Sequence, residues 1–260
     1  MKNKPLSIIT IGINATHIYE TIAPLKNIDS SLFELILVVP YSLDLSDLHH
    51  FTGLPIIIAR DHKLGIYHAM NIGVRSASGM YIWFLNSGDA CNDICFLSSI
   101  LADISSLSLF HSPDIPLIFF SSSPFLCLPS SPARRIALHF SFLCLIFPFS
   151  HQNIFIPRVD HSPFSLSFRF SSDFHLIFTL LYSQHKSFYT YRAPIASLSP
   201  GGVSDTNRFR VLLERLMIVS RGSSPVFLPL IFIAFLFRFL REILVAIVKA
   251  FLFATSNLFD

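Results

Sequence analysis

Residues 6–13, 34–39, 55–59 and 80–85 are short apolar runs rich in Ile, Val and Leu, and helical spacing fills residues 17–25 and 65–76 between them. Strands that alternate with helices in this way form βαβ units around a mainly parallel sheet, which restricts this part of the chain to a doubly wound α/β design. An open sheet of that kind binds ligands outside the carboxyl ends of its strands. The last run ends in such a place with Asn86-Ser87-Gly88-Asp89. Gly88 lets the backbone turn sharply, and Asp89 can then aim a carboxylate outward. A hard divalent cation that bridges a diphosphate takes oxygen ligands of this type. Asp in a Ser-Gly-Asp turn is also an ordinary turn residue.

With 260 residues the chain can bury a full core, and we read it as one domain followed by a tail. Hydrophobic residues make up 52% and charged residues 13% of it, which keeps membrane contact in view. The formal charge is +3, but Lys and Arg are scattered, so nucleic-acid binding gains no support. The four cysteines, Cys91, Cys95, Cys127 and Cys144, contain no CxxC pair and read as free buried thiols in a reducing compartment. Lys2 and Lys4 precede the first apolar run, which has no small-residue cleavage site and is expected to be a strand and not a signal peptide.

Residues 96–149 are biased toward Ser, Pro, Phe and Leu, which blurs helix and strand periods alike. Beyond them, residues 151–156 read as a strand and residues 171–182 as a capped helix, with Asp173 in its first turn. Asp173 suits the N-terminal end of a helix dipole, and a carboxylate there can equally act as a general base toward a hydroxyl. His151-Gln152 opens the strand, where a lone histidine is commonly a hydrogen-bonded structural residue. Gly201-Gly202-Val203-Ser204 forms a loop before a helix expected to begin near Asp205, either a plain turn or an anion cradle. No P-loop, dinucleotide fingerprint, HExxH or GxSxG pattern occurs.

The tail over residues 226–254 is strongly apolar, but its longest uncharged run, 226–237, has 12 residues, short of the roughly 20 needed to span a bilayer. Arg238, Arg241, Glu242 and Lys249 fall within an arc of roughly 100° at helical spacing. A narrow polar stripe on a greasy helix suits a membrane interface, and core packing or a subunit contact is the plainer reading.

Taken in order, these segments resemble the family 2 glycosyltransferases of the GT-A fold, in particular bacterial polysaccharide-type members related to colanic-acid transferases. Ser7-Ile8-Ile9-Thr10 is similar to the opening strand, residues 34–39 to the second, and Gly65-Ile66-Tyr67-His68-Ala69-Met70-Asn71 to the GIYDAMN helix. Residues 77–89 resemble the ATGEYIxFLNSGD strand, with His151-Gln152, Ser172-Asp173-Phe174 and Gly201-Gly202-Val203-Ser204 following in the family's order. The resemblance implies a Rossmann-like mixed sheet with helices on both faces over residues 1–222, with a donor half (1–95) and an acceptor half (96–222). An apolar amphipathic membrane-associating tail (223–260) would follow.

It further implies an inverting, metal-dependent transferase in cell-surface polysaccharide synthesis, moving sugar from a nucleotide-sugar to a glycan or lipid-linked acceptor. The enzyme would be peripheral on the cytoplasmic face of the cell membrane. Asp89 would hold Mg²⁺ or Mn²⁺ and Asp173 would be the base. Thr10, Asp44, Asp61, Asn71 and Asn86 would serve the nucleotide-sugar, and His151, Gln152, Gly201 and Gly202 the acceptor side. Three positions depart from the pattern: Pro40 stands where an Asp usually holds the nucleotide base, and His68 and His175 replace acids. The loop Arg60-Asp61-His62-Lys63 fits the family's acidic loop in two registers. These departures support an alternative, a catalytically silent GT-A-like subunit bound to a membrane.

Overall fold

The computed structural model describes residues 4–106, 115–121, 131–147, 150–199 and 201–256. Cys127 and most of the Ser/Pro-rich stretch around it lie outside the described residues. The chain begins with β1 (Leu6–Ile11), α1 (Ala15–Ile22), β2 (Phe33–Pro40), β3 (Ile56–Asp61), α2 (Ile66–Ser76) and β4 (Tyr81–Phe84). β1, β2 and β4 are buried along almost their whole length, as strands covered on both faces must be, hence their continuous apolar sequences. Asn14 caps α1 by accepting the His17 amide at 3.2 Å. Gly65, at φ 115°, turns the chain into α2.

Then follow β5 (Ala90–Cys91), α3 (Ile94–Ser106), β6 (Leu117–Phe120), α4 (Ser131–Leu143), β7 (Ile154–Pro157), α5 (Ser172–Phe178), β8 (Phe188–Tyr191), β9 (Ala196–Ser197), α6 (Val203–Thr206), α7 (Arg208–Gly222) and α8 (Leu228–Ser256). The main sheet has seven strands in the order β3-β2-β1-β4-β7-β6-β8. Its first four strands are parallel, and β7 runs antiparallel to both β4 and β6. The expected mixed α/β sheet is therefore present. Side chains alternate along each strand between two cores: Ile8, Leu35, Leu37 and Trp83 face one, while Ile9, Ile36, Val38 and Phe84 face the other. Each such fully buried side chain stabilises the fold by about 1.5–3 kcal/mol.

A buried carboxylate ties the parallel strands together. Glu34 on β2 accepts hydrogen bonds from Ser7 Oγ (2.5 Å) on β1 and from the Ser78 amide (2.5 Å), Ser78 Oγ (2.7 Å) and Gly79 amide (3.1 Å) before β4. Burial pushes its carboxyl up, but these hydrogen bonds outweigh burial and hold it below the ordinary value. A Cβ at Gly79 would stand 2.6 Å from the Ser7 amide nitrogen, so the clasp closes only with glycine.

Several expectations need correction. Residues 151–153 form a 3₁₀ turn and β7 starts at Ile154. The helix expected over 171–182 is α5 followed by a π turn at Thr179–Ser183. Ser171 makes no capping bond; its hydroxyl reaches the Val211 carbonyl at 3.4 Å. Glu214 of α7 instead accepts the Arg169 and Phe170 amides at 2.8 and 2.9 Å, fixing the loop ahead of α5. The turn at Gly201-Gly202 leads into α6 at Val203, ahead of the expected start. Cys91 is buried on β5, Cys95 is exposed on α3 and Cys144 is half-buried, so the thiols are not uniformly core residues.

The tail is a single helix, and part of its polar stripe turns inward. Ile231 is fully buried in the main core. Farther along α8, Glu242 turns inward and pairs with Arg208 of α7 at 3.7 Å, and Arg238 is half-buried beside it. The opposite face carries Phe232, Leu236, Phe237, Leu240, Leu244 and Ile247, all more than half exposed. Arg208 on α7 supplies the reason for Glu242, because it gives that carboxylate a partner within the protein. No helix among the described residues is long and apolar enough to cross a membrane.

Candidate active site

The loop after β4 is fixed from beneath by α1. Thr21 Oγ1 accepts the Gly88 amide and donates to the Asp89 carbonyl, both at 2.9 Å, while Gly88 adopts φ 95°. Asp89 is thereby held with its carboxylate buried. Its Oδ1 accepts the Ser199 amide at 3.1 Å and its Oδ2 accepts Gln152 Nε2 at 3.0 Å. Burial pushes the Asp89 carboxyl up from its ordinary value, against those two hydrogen bonds and the nearby His151.

Gln152 is itself anchored, because its carbonyl accepts Trp83 Nε1 at 2.7 Å. The preceding residue, His151, joins the donor loop to α5. Its Nε2 lies 3.2 Å from Asn86 Nδ2 and its Nδ1 lies 3.1 Å from Asp173 Oδ2. Asn86 Nδ2 can only donate, so Nε2 accepts and Nδ1 carries the proton that is given to Asp173. Tyr67, in the first turn of α2, donates its hydroxyl to the other oxygen, Oδ1, at 2.8 Å. Burial pushes the Asp173 carboxyl up, but the hydrogen bond and electrostatic attraction of His151, the Tyr67 hydroxyl and the Phe174 amide outweigh it and hold it below the ordinary range. Asp173 is consequently ionised at neutral pH. Burial and Asp173 together push the Tyr67 phenol far up, so it stays a donor.

These groups border one cavity of about 650 Å³. Asn86, Ser87, Gly88 and Asp89 form one part of its wall, and His151, Gln152, Asp173 and Tyr67 another. Ser199, Gly201, Gly202 and Arg215 also line it. Gly201, at φ 88°, needs the conformational freedom of glycine. Asp89, Asn86, Asp173, His151, Gln152, Gly201 and Gly202 are thus gathered from distant segments into one space.

Four other anticipated residues lie off this wall. Asn71 is committed to the Phe164 backbone, accepting its amide at 2.7 Å and donating to its carbonyl at 2.9 Å. Asp44 is exposed and holds a turn through the Ser46 amide at 2.9 Å. Asp61, at the end of β3, accepts the Lys63 amide and faces His68 Nδ1, both at 2.9 Å. The acid missing at position 68 is thus replaced by a histidine that pairs with Asp61. Thr10 is fully buried with an unpartnered hydroxyl. His175 packs against Phe168, with ring centroids 5.0 Å apart.

Tyr67, Ser199, Thr21 and Arg215 were not singled out from the sequence. Tyr67 stood within the quoted helix motif and signalled itself only by its place in the first turn. The others are brought in by tertiary structure. Arg215 lies over the faces of Phe147 and Phe174, 5.6 and 5.1 Å from the ring centroids.

The donor set for a metal is made of oxygen atoms, which suits Mg²⁺ or Mn²⁺. Asn86 Oδ1 and Gln152 Oε1 are buried without hydrogen-bond partners, and Asp89 supplies a carboxylate. Among the described residues no group of three or more His, Cys, Asp or Glu is placed to hold a metal ion. The residues therefore fit a cation that takes its remaining ligands from outside the protein.

No protein-family model and no curated protein matches the chain. Solved structures do. The mannosyltransferase PcManGT from Pyrobaculum calidifontis, solved with GDP-Man and Mn²⁺, is similar at TM-score 0.59 and 14% identity over 90% of this chain and 74% of that one. TarS of S. aureus is similar at TM-score 0.52 and 15% identity over 85% of this chain. This chain spans 40% of the length of that TarS chain. TarS 1-349 in complex with UDP gives TM-score 0.51 and 14% identity over 85% of this chain and 67% of that one. The architecture is accordingly the GT-A type of α/β fold.

Proposed function

We propose that this chain is an inverting glycosyltransferase that uses a nucleotide-sugar, with Asp173 as its base and a glycan or lipid-linked molecule as acceptor. The observation that carries the reading is an ionised, doubly hydrogen-bonded Asp173 in the same cavity as the Asn86–Asp89 loop. In the reaction an acceptor hydroxyl oxygen attacks the anomeric carbon from the face opposite the diphosphate. Its proton passes to a carboxylate oxygen of Asp173, and the bond from the anomeric carbon to the diphosphate breaks with its electron pair leaving on phosphate. Tyr67 and His151 hold the carboxylate in position. They also keep it charged until the proton arrives.

When bound, a divalent ion at Asp89, with the amide oxygens of Asn86 and Gln152 as further donors, would offset charge on the leaving diphosphate. The fold shared with solved sugar transferases, one of them in complex with GDP-Man and Mn²⁺, supports the donor class. The exposed apolar face of α8 supports peripheral attachment to a membrane, while its cytoplasmic side and a role in cell-surface polysaccharide synthesis follow from the resemblance of the sequence motifs.

A catalytically silent subunit is the second reading. The placement of Asp44 and Asn71 away from the cavity favours it. Thermal unfolding with nucleoside diphosphates and Mn²⁺ separates the two. A ligand at about a hundred times its Kd stabilises by about 2.7 kcal/mol, whereas no shift with any common nucleotide would refute the transferase reading.

A further inference from the structure

A second cavity, of about 230 Å³, lies in the groove between α7 and α8. Its walls carry Arg208 and Arg215 from α7 and Arg238, Arg241 and Glu242 from α8. Four guanidinium groups thus share the groove with one carboxylate. Glu242 pairs with Arg208 at 3.7 Å, and Arg215 Nε is buried without a hydrogen-bond partner. Burial and the neighbouring Arg241 both disfavour the charged form of Arg238, so the cluster carries like-charge repulsion that an anion would relieve. Guanidinium forks suit phosphate oxygens, which they bind in pairs. A liquid water occupies about 30 Å³, so the groove has room for a phosphate group and its hydration.

Position identifies the phosphate. Ser204 and Arg215 line both this groove and the larger cavity, placing the arginines next to the space that holds Asp173. The same α8 turns bulky apolar side chains outward, among them Leu236, Leu240 and Leu244. A helix lying in the interface on that face sets its inward basic stripe near the depth of lipid phosphates. Resting on the transferase reading, we infer that the α7–α8 groove is a phosphate subsite that seats the anionic head group of a lipid-linked acceptor beside the base.

The test is flotation of the full chain with three vesicle types: phosphatidylcholine alone, with a diester anionic lipid, and with a lipid phosphomonoester at matched surface charge. Binding is expected to be tightest to the phosphomonoester. Arg241→Gln and Arg208→Gln should each weaken that preference about tenfold, the scale of one lost hydrogen bond to a charged group. Glu242→Gln should strengthen it, because it removes the internal counter-charge. Equal binding to both anionic vesicles, or a phosphomonoester preference unchanged in all three variants, overturns the subsite. Inorganic phosphate that binds as tightly in solution as on vesicles overturns the lipid source. Stabilisation by nucleoside diphosphate and Mn²⁺, measured on the same variants, reports separately on the donor site. Its loss in the wild-type chain would count against the transferase reading and not against the groove.

Discussion

Replacing Glu34 with glutamine tests the clasp that joins the strands beneath the donor loop. The carboxylate is almost fully buried and accepts four hydrogen bonds. A hydrogen bond to a charged group contributes roughly 1.5–3 kcal/mol and a neutral one roughly 0.5–1.5, so neutralising the acceptor weakens four bonds by about 1 kcal/mol each. Relief from burying a charge offsets part of that loss. The hydrogen bonds outweigh burial in setting the carboxyl's affinity for protons, which leaves a net destabilisation of about 2 kcal/mol. Ser78 Oγ can rotate to accept from the new amide, so the variant should still fold.

Urea unfolding can be followed by the fluorescence of Trp83, the single tryptophan, fully buried on the adjoining β4. The folded Glu34 carboxyl is held below its ordinary value of 4.5. Its contribution is therefore fully present above that pH and is lost as pH falls through the folded value. The gap between wild type and variant should be widest at neutral pH and should shrink as pH falls below 4.5 and through the depressed folded value. A variant that matches wild type at pH 7 and keeps the same dependence on pH would refute the reasoning.

Other substitutions probe the site and the tail. Asp89→Asn can keep both hydrogen bonds if the Gln152 amide turns over and offers its unpartnered Oε1. Since burial disfavours the charge at that position, thermal stability should hold or rise by up to about 1 kcal/mol while stabilisation by nucleoside diphosphate and Mn²⁺ disappears; a destabilised variant that still binds nucleotide contradicts this. Tyr67→Phe removes one of the bonds that keep the Asp173 carboxyl below 3.8, so the acid limb of kcat/KM against pH should move upward. The base must be ionised to act, and activity is lost as pH falls through its folded pKa; an unmoved limb argues against Asp173 as the group observed. Leu236→Glu combined with Leu240→Glu on the exposed face of α8 should abolish vesicle association and change stability by no more than about 0.5 kcal/mol per substitution. Strong unfolding in that variant would mean the face is packed.

β1, β2 and β4 were legible because each is covered on both faces and must be apolar without interruption, as in residues 34–39, whereas β3 lies at the sheet edge with Ile57 and Ile58 exposed and was marked only by its run of isoleucines. β6, β8 and the short β5–β9 pair were not read. Leu117–Phe120 sits in a Ser- and Phe-rich region without period, and a two-residue strand leaves no pattern at all. At the site, strand-end position and motif order pointed to Asp89 and Asp173. The bond from Tyr67 to Asp173 crosses 106 residues of sequence, and no local spacing announces it. Helical periodicity revealed a polar stripe on the tail but not its direction. Glu242 faces inward there because Arg208, 34 residues earlier on α7, gives it an internal partner.

The central claim is that Asp173 takes the acceptor proton in transfer from a nucleotide-sugar. Nucleotide release measured across a panel of donor sugars with Mn²⁺ and acceptor, in wild type and Asp173→Asn, tests it most directly. The account predicts a donor-dependent release that falls about 10²- to 10⁴-fold in the variant, while stabilisation by nucleoside diphosphate is retained. Release at the wild-type rate in Asp173→Asn would contradict it.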